Sequence, residues 1–268
     1  MTTKTVCWIT GASSGIGAAI AVNMAAKNYR LILSARNKNK LTDVARQCKA
    51  AGASDNNIKV LPLDVTDIDA MNSVAKQSHK LFGRVDLLIN NAGISQRSFC
   101  LDTEMSTYRQ LFEVDVFGQI ALTKAMLPIM IEQGHGHIAV TASVAGKLGV
   151  PKRTGYCAAK HAMMGFFDAL RAEVAQHNIS VSTIVPGFVN TNLSQNALNG
   201  DGTAFSQTDD DIANGMPANK AADVIVRGLE SNKKEINVGQ GLEMIGLYIK
   251  RFFPALIFKL MAKRALTH

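Results

Sequence analysis

Cysteine is scarce in this chain. Cys7, Cys48, Cys100 and Cys157 are four scattered residues with no C-x-x-C pair. A chain of 268 residues can build a core without covalent staples, so a disulfide scaffold is excluded and reduced thiols are expected. Charge is also modest, at 19% of residues against 47% hydrophobic, which excludes a disordered polyelectrolyte. The apolar stretch before Gly11 is only about six residues, too short for a signal-peptide core, and a cytoplasmic location is expected. No internal repeat or low-complexity linker is present. His135, His137 and His161 show no metal-cluster spacing, so no metal is assigned. The formal net charge of +8 would suit nucleic acid, but the cations are dispersed and no basic-aromatic platform exists, so nucleic acid is not an expected partner.

What the chain does have is alternation. Short β-branched apolar runs at 5–10, 30–35, 58–63, 86–90, 137–143 and 179–185 are each apolar enough to be buried on both faces, and a last strand follows at 235–238. Between them, helical periodicity predicts helices over 15–28, 38–51, 67–82, 105–132 and 154–177, with a kink at Pro128. The pattern predicts an α/β class, a Rossmann-like doubly wound parallel sheet with helices on both faces. One domain spanning 1–268 is expected, with a polar substrate loop at about 190–220 and an apolar-basic extension at about 242–268.

Directly after the first strand comes Gly11-Ala12-Ser13-Ser14-Gly15-Ile16-Gly17. Glycines at a strand-to-helix turn let backbone amides and a helix N-terminus approach a pyrophosphate. A ligand-free turn would use the same residue types, but the position inside a βαβ unit favours cofactor binding. The second strand ends in Ser34-Ala35-Arg36, nineteen residues after Gly17, with no carboxylate to bond a ribose diol. A guanidinium there suits a 2′-phosphate, so the cofactor is expected to be NADP(H), with Lys38 and Lys40 adding positive potential.

Tyr156 and Lys160 are one helical turn apart, so both project from one face. An ammonium beside a phenol stabilises phenolate, as a general acid-base group requires. Ser143, thirteen residues upstream, closes a strand at the carboxyl edge where doubly wound folds bind ligands.

Taken together, Thr10, Gly11, Gly15 and Gly17 in TGxxxGxG, Asn90-Asn91-Ala92-Gly93, and Ser143 with Tyr156-x-x-x-Lys160 resemble the short-chain dehydrogenase/reductase family over residues 5 to about 191. The resemblance implies that Tyr156 exchanges a proton with the substrate oxygen, Ser143 holds that oxygen, and Lys160 binds the nicotinamide ribose. It further implies that Asp64 and Val65 contact adenine, that Asn91, Ala92 and Gly93 border the cofactor, and that Pro186, Gly187, Val189 and Thr191 lie near the carboxamide. In one departure, Asp115 stands where the family usually has the asparagine of a catalytic tetrad; a buried carboxylate there would favour a charged Lys160.

The implied activity is hydride transfer between nicotinamide and a carbonyl or secondary alcohol of an apolar small molecule. The alternative is a nucleotide-binding regulator that keeps the fold without catalysis. A homo-oligomer is expected by resemblance, with Ala159, Met163, Phe166, Phe167 and Leu170 supplying extra apolar surface on the helix of Tyr156. In the tail, Lys250, Arg251, Lys259, Lys263 and Arg264 interrupt an apolar run that Pro254 also breaks, which excludes a spanning helix. Two outcomes remain: packing over the active site or a neighbouring subunit, the commoner fate of such apolar surface, or peripheral contact with a membrane.

Overall fold

The computed structural model describes residues 4–207 and 210–267; Thr208 and Asp209 of the expected substrate loop, and the Arg264 side chain, lie outside the described residues. Seven parallel strands form one sheet: β1 (Val6–Thr10), β2 (Arg30–Ser34), β3 (Ile58–Val60), β4 (Leu87–Asn90), β5 (Gly136–Thr141), β6 (Ile179–Pro186) and β9 (Glu235–Val238), in the order β3-β2-β1-β4-β5-β6-β9. Two-residue strands β7 (Val189–Asn190) and β8 (Met216–Pro217) pair separately. The order reverses between β1 and β4, and a doubly wound sheet opens its crevice where neighbouring strands diverge to opposite sides.

Period-two alternation puts Cys7 and Ile9 into one apolar layer and Val6 and Trp8 into the other, which is why these runs carry almost no polar residue. One face is covered by α1 (Gly15–Ala26), α2 (Lys38–Ala50) and α8 (Ala218–Glu230). The other is covered by α3 (Met71–Phe82), α4 (Met105–Phe112), α5 (Gly118–Gln133) and α6 (Thr154–Glu173). A short α7 (Asp210–Ala213) lies in the loop after β7, and α9 (Leu242–Phe252) and α10 (Pro254–Thr267) form the tail.

Two sequence expectations change. The helix expected from 67 begins at Met71, because Asp67 ends in a turn whose Oδ1 accepts from the Ala70 amide at 3.3 Å. α5 continues through the exposed Pro128 without ending there. The irregularity falls earlier, in a wide π turn over Glu113–Phe117 that separates α4 from α5 and turns Asp115 fully inward. Such wide turns are frequent at functional sites. The 105–133 run is long and apolar enough to cross a membrane by length and composition, but Leu111, Leu122, Met126 and Met130 are buried in the domain, which accounts for its apolarity.

Four of the five apolar residues expected to enlarge the α6 surface, Ala159, Met163, Phe167 and Leu170, are buried in the sheet-facing core, and Phe166 packs beside them. The four buried residues satisfy one sheet face and add no exposed apolar surface, while Phe166 is half-buried.

Candidate active site

Thr10 ends β1 and Gly11 turns the chain with φ at +63°, a left-handed conformation that side chains rarely adopt. A Cβ at Gly11 would lie 2.8 Å from Ala92 Cα, so glycine also permits close approach of two strand ends. Gly17 has a different role: any side chain there would strike the Gly11 carbonyl and come within 2.5 Å of Asn91 Nδ2. It seats the first turn of α1 against the loop, leaving the amides of that turn free of intrahelical partners, and no acidic residue occupies the turn.

The NNAG segment braces these ends. Asn91 Nδ2 donates to Thr10 O at 3.1 Å, and Asn91 Oδ1 accepts from Thr141 Oγ1 at 3.1 Å. Thr10 Oγ1 in turn accepts from the Asn91 and Ala92 amides at 3.0 and 3.1 Å. The carboxyl ends of β1, β4 and β5 are thereby tied by side chains as well as by the ladder.

A cavity of about 820 Å³ opens along these ends. Its walls include Gly11, Ser13, Ser14, Gly15 and Ile16 of the glycine turn, then Arg36, Asp64 and Val65, then Asn91, Ala92 and Gly93. Ser143, Tyr156, Lys160, Pro186, Gly187, Val189 and Thr191 complete it. Of the expected site residues only Gly17 and Asp115 stand behind the wall. Arg36 and Lys40 are exposed at the far end, and among the described residues neither side chain has an ion-pair partner; Lys38 does not reach the cavity. Asp64 Oδ1 already accepts from Thr66 N and Oγ1 at 3.0 and 2.8 Å, so one of its oxygens caps a turn and Oδ2 is left for a ligand.

At the other end, Lys160 is buried with its Nζ 3.1 Å from Asp115 Oδ2 and donating to Thr141 O at 3.1 Å. Nζ lies 5.6 Å from the Tyr156 ring centroid. Asp115 Oδ1 accepts from the Ile94 amide at 2.7 Å, while its Oδ2 meets Lys160 as an ion pair without directed hydrogen-bond geometry. Burial pushes the Asp115 carboxyl up, opposed by Lys160 and the Ile94 amide. Burial alone would lower the Lys160 ammonium, but Asp115, helped by Tyr156, outweighs it and holds the lysine above its ordinary value, so the ammonium stays charged. Ser143 Oγ accepts from Ala145 N at 3.1 Å and donates to Pro186 O at 3.4 Å, which fixes it at the start of the following turn.

Gln96 was invisible from sequence. It is fully buried, and its Oε1 accepts from the Gly155 and Tyr156 amides at 2.7 and 3.4 Å, capping the helix that carries Tyr156. Its Nε2 donates to Ser98 Oγ and Thr103 Oγ1 at 3.1 and 3.0 Å. The cap is supplied by a residue far away in the chain, so no local capping pattern announces it. The expected loop is also tied here: Leu198 N donates to Ser95 O and Arg97 N to Leu198 O, both at 2.8 Å. Ser194, Ala197 and Leu198 are buried, so this part of the segment is a packed wall and not a solvated loop. The tail adds Ile245, Gly246, Ile249, Ile257, Leu260 and Met261 to the same cavity, so it does pack over the site.

The short chain dehydrogenase family profile matches residues 5–201. Dehydrogenase/reductase SDR family member 7B of Xenopus laevis is 38% identical over 260 residues, covering 96% of this chain and 80% of the relative. Dehydrogenase/reductase SDR family member 7 of Homo sapiens is 38% identical, covering 94% and 75%. Among solved structures, a Burkholderia phymatum short chain dehydrogenase/reductase in complex with NAD superposes with a TM-score of 0.82 at 25% identity, covering 94% of this chain and 95% of its own. A metagenomic short-chain oxidoreductase in complex with NADP gives 0.70 at 29%, covering 87% and 96%. On that match, and on the fold shared with those structures, the chain belongs to the short-chain dehydrogenase/reductase family of nicotinamide-dependent oxidoreductases.

Proposed function

We propose that the protein is an NADP(H)-preferring reductase of apolar carbonyl compounds, able to oxidise the matching secondary alcohols, in a single domain. The observation that carries this reading is one continuous cavity, with Arg36 at one end, without an ion-pair partner among the described residues, Ser143, Tyr156 and Lys160 at the other, and apolar side chains of α9 and α10 in its lining.

Lys160, held between Asp115 and the Thr141 carbonyl, presents a fixed ammonium to a nicotinamide ribose and keeps positive charge beside Tyr156. In reduction the Tyr156 hydroxyl gives its proton to the substrate oxygen, and in oxidation it takes that proton back. Ser143 Oγ orients the same oxygen. A bound nicotinamide supplies or accepts the hydride; the protein contributes placement and electrostatics. Pro186, Gly187, Val189 and Thr191 border the carboxamide side, and Gly15 packs so closely on Thr191 that a Cβ would sit 3.3 Å from its methyl group. Arg36, with Lys40, meets the 2′-phosphate; the NAD and NADP complexes among the structural relatives allow either cofactor to the fold, so residues at this end decide. Asp115 acts through Lys160 and is a positioning residue.

The test is consumption of NADPH and NADH with a panel of aldehydes, ketones and quinones. Turnover of apolar carbonyls with NADPH preferred is expected. A protein that binds NADPH but reduces none of the panel would overturn the reading in favour of a non-catalytic nucleotide-binding regulator. We include a cytoplasmic homo-oligomer in this reading; light scattering showing a monomer at micromolar concentration would remove that part.

A further inference from the structure

Among the described residues, the outer face of α9 and α10 is apolar and largely exposed, its one ring contact being Lys250 Nζ over Phe258 at 4.3 Å. Leu242, Tyr248, Phe252 and Phe253 are 81%, 69%, 68% and 65% exposed, with Leu256 and Phe258 about half exposed. Among the described residues of the two helices only Gly246 and Ile257 are fully buried. Several large apolar side chains exposed together exceed what a soluble surface ordinarily leaves open.

We propose that this face seats on an anionic phospholipid bilayer and that the catalytic cavity opens through it, so that apolar carbonyl substrates enter from the lipid; the second half rests on the reductase reading above. Charge selects the occupant. Lys250, Arg251, Lys259 and Lys263 belong to these helices, whereas their sole carboxylate, Glu243, turns back to accept from the Gly241 amide at 3.2 Å and packs on Gly187. Among the described residues Arg251, Lys259 and Lys263 have no ion-pair partner. Apolar side chains flanked by unpaired cations suit the boundary between acyl chains and anionic headgroups. A second copy does not fit: an isologous pairing would set this basic face against itself. Neither helix approaches the about twenty residues needed to cross a bilayer, and the break at Phe253–Pro254 leaves two short segments suited to lying in its surface.

The rim of the cavity gives the face its function. Leu242, Ile245 and Leu260 line the catalytic cavity and are also 81%, 54% and 43% exposed, so the mouth lies within the apolar face. Seating that face on lipid would bring the mouth against the phase in which apolar ketones concentrate.

The test is co-sedimentation of the full-length protein with vesicles of phosphatidylcholine alone and of phosphatidylcholine with phosphatidylglycerol. The wild type is expected to bind the mixed vesicles at least about tenfold more tightly, with the difference falling as salt rises. Phe252→Ser with Phe253→Ser should weaken binding to both vesicles about tenfold, and Arg251→Glu with Lys259→Glu should remove the preference for phosphatidylglycerol. Both variants should keep wild-type NADPH affinity and wild-type turnover of a water-soluble carbonyl, which shows that they fold, and lose activity on a ketone dissolved in the vesicles. A wild type that stays in the supernatant with both vesicles, or a Phe252→Ser/Phe253→Ser protein that binds as the wild type does, overturns the proposal. So does a wild-type dimer that this double variant converts to monomer without any vesicle binding, because a second copy would then be the occupant. Sedimentation is read without turnover, so a protein that docks but reduces nothing overturns the reductase reading and the entry route, and leaves docking standing.

Discussion

The two ends of the cavity are built by different physics. At the sheet-edge end, position is set by backbone and short polar side chains: left-handed Gly11 and Gly15, the Asn91 brace between Thr10 and Thr141, and the buried Lys160–Asp115 pair. At the tail end, α9 and α10 contribute apolar side chains that are largely exposed on their outer face. Under the proposed reading the difference teaches that the cofactor is met by directional groups whose placement tolerates little error, while the substrate is met by area, which does not require a unique geometry.

Five substitutions and one deletion would break or sharpen this contrast. The largest effect belongs to Tyr156→Phe, which removes one hydroxyl from the directional end. The rate should fall about 10²- to 10⁴-fold while NADPH still binds, and steady-state kinetics beside a cofactor titration would show a misassigned Tyr156 if most activity survived. Next comes Asp115→Ala, which leaves the Lys160 ammonium buried without its partner and should lower stability by about 3–5 kcal/mol in urea unfolding. Asp115→Asn should cost less, because the amide oxygen can still accept from Ile94. With burial unopposed by Asp115, Lys160 should lose its proton at lower pH, and the alkaline limb of the rate profile should move down; an unmoved limb would mean that the pair does not govern the site.

Deleting residues 243–268 tests the other end. KM for bulky ketones should rise about tenfold, with NADPH affinity near wild type, and equal losses for both ligands would abolish the distinction between the ends. Arg36→Ala should weaken NADPH about tenfold and leave NADH nearly unchanged; a wild type with equal affinity for the two cofactors would refute the role of Arg36. The smallest effect lies away from the cavity. Burial, with Lys234 nearby, pushes the His137 imidazole down to about 4 from an ordinary 6.5, and its Nε2 lies 2.8 Å from Ser182 Oγ. The fold therefore prefers the neutral ring, and that contribution is present above about 6.5 and lost as pH falls toward about 4. His137→Gln should flatten the acid slope of stability in that window, and an unchanged slope would rule this out.

Much of the directional end was legible because its signals are local. Gly11, Gly15 and Gly17 are spaced for one turn, Tyr156 and Lys160 for one helical face, and the β-branched runs for strands buried on both sides. The area end was less legible. The tail was expected either to pack over the site or to lie on a surface, and the folded chain shows inner residues lining the cavity and outer residues exposed, a division that depends on how the α9–α10 pair is docked. For α6 an apolar count alone suggests surplus surface, whereas the layer between helix and sheet takes up Ala159, Met163, Phe167 and Leu170. The chain by itself determined the α/β class, the glycine turn after β1 and the shared helix face of Tyr156 and Lys160, since each follows from spacing within one or two elements. Only the tertiary structure decided that Gln96 caps the Tyr156 helix, that Asp115 pairs with Lys160, and that α9 and α10 line the cavity, because those contacts join residues whose separation in sequence carries no periodic signal.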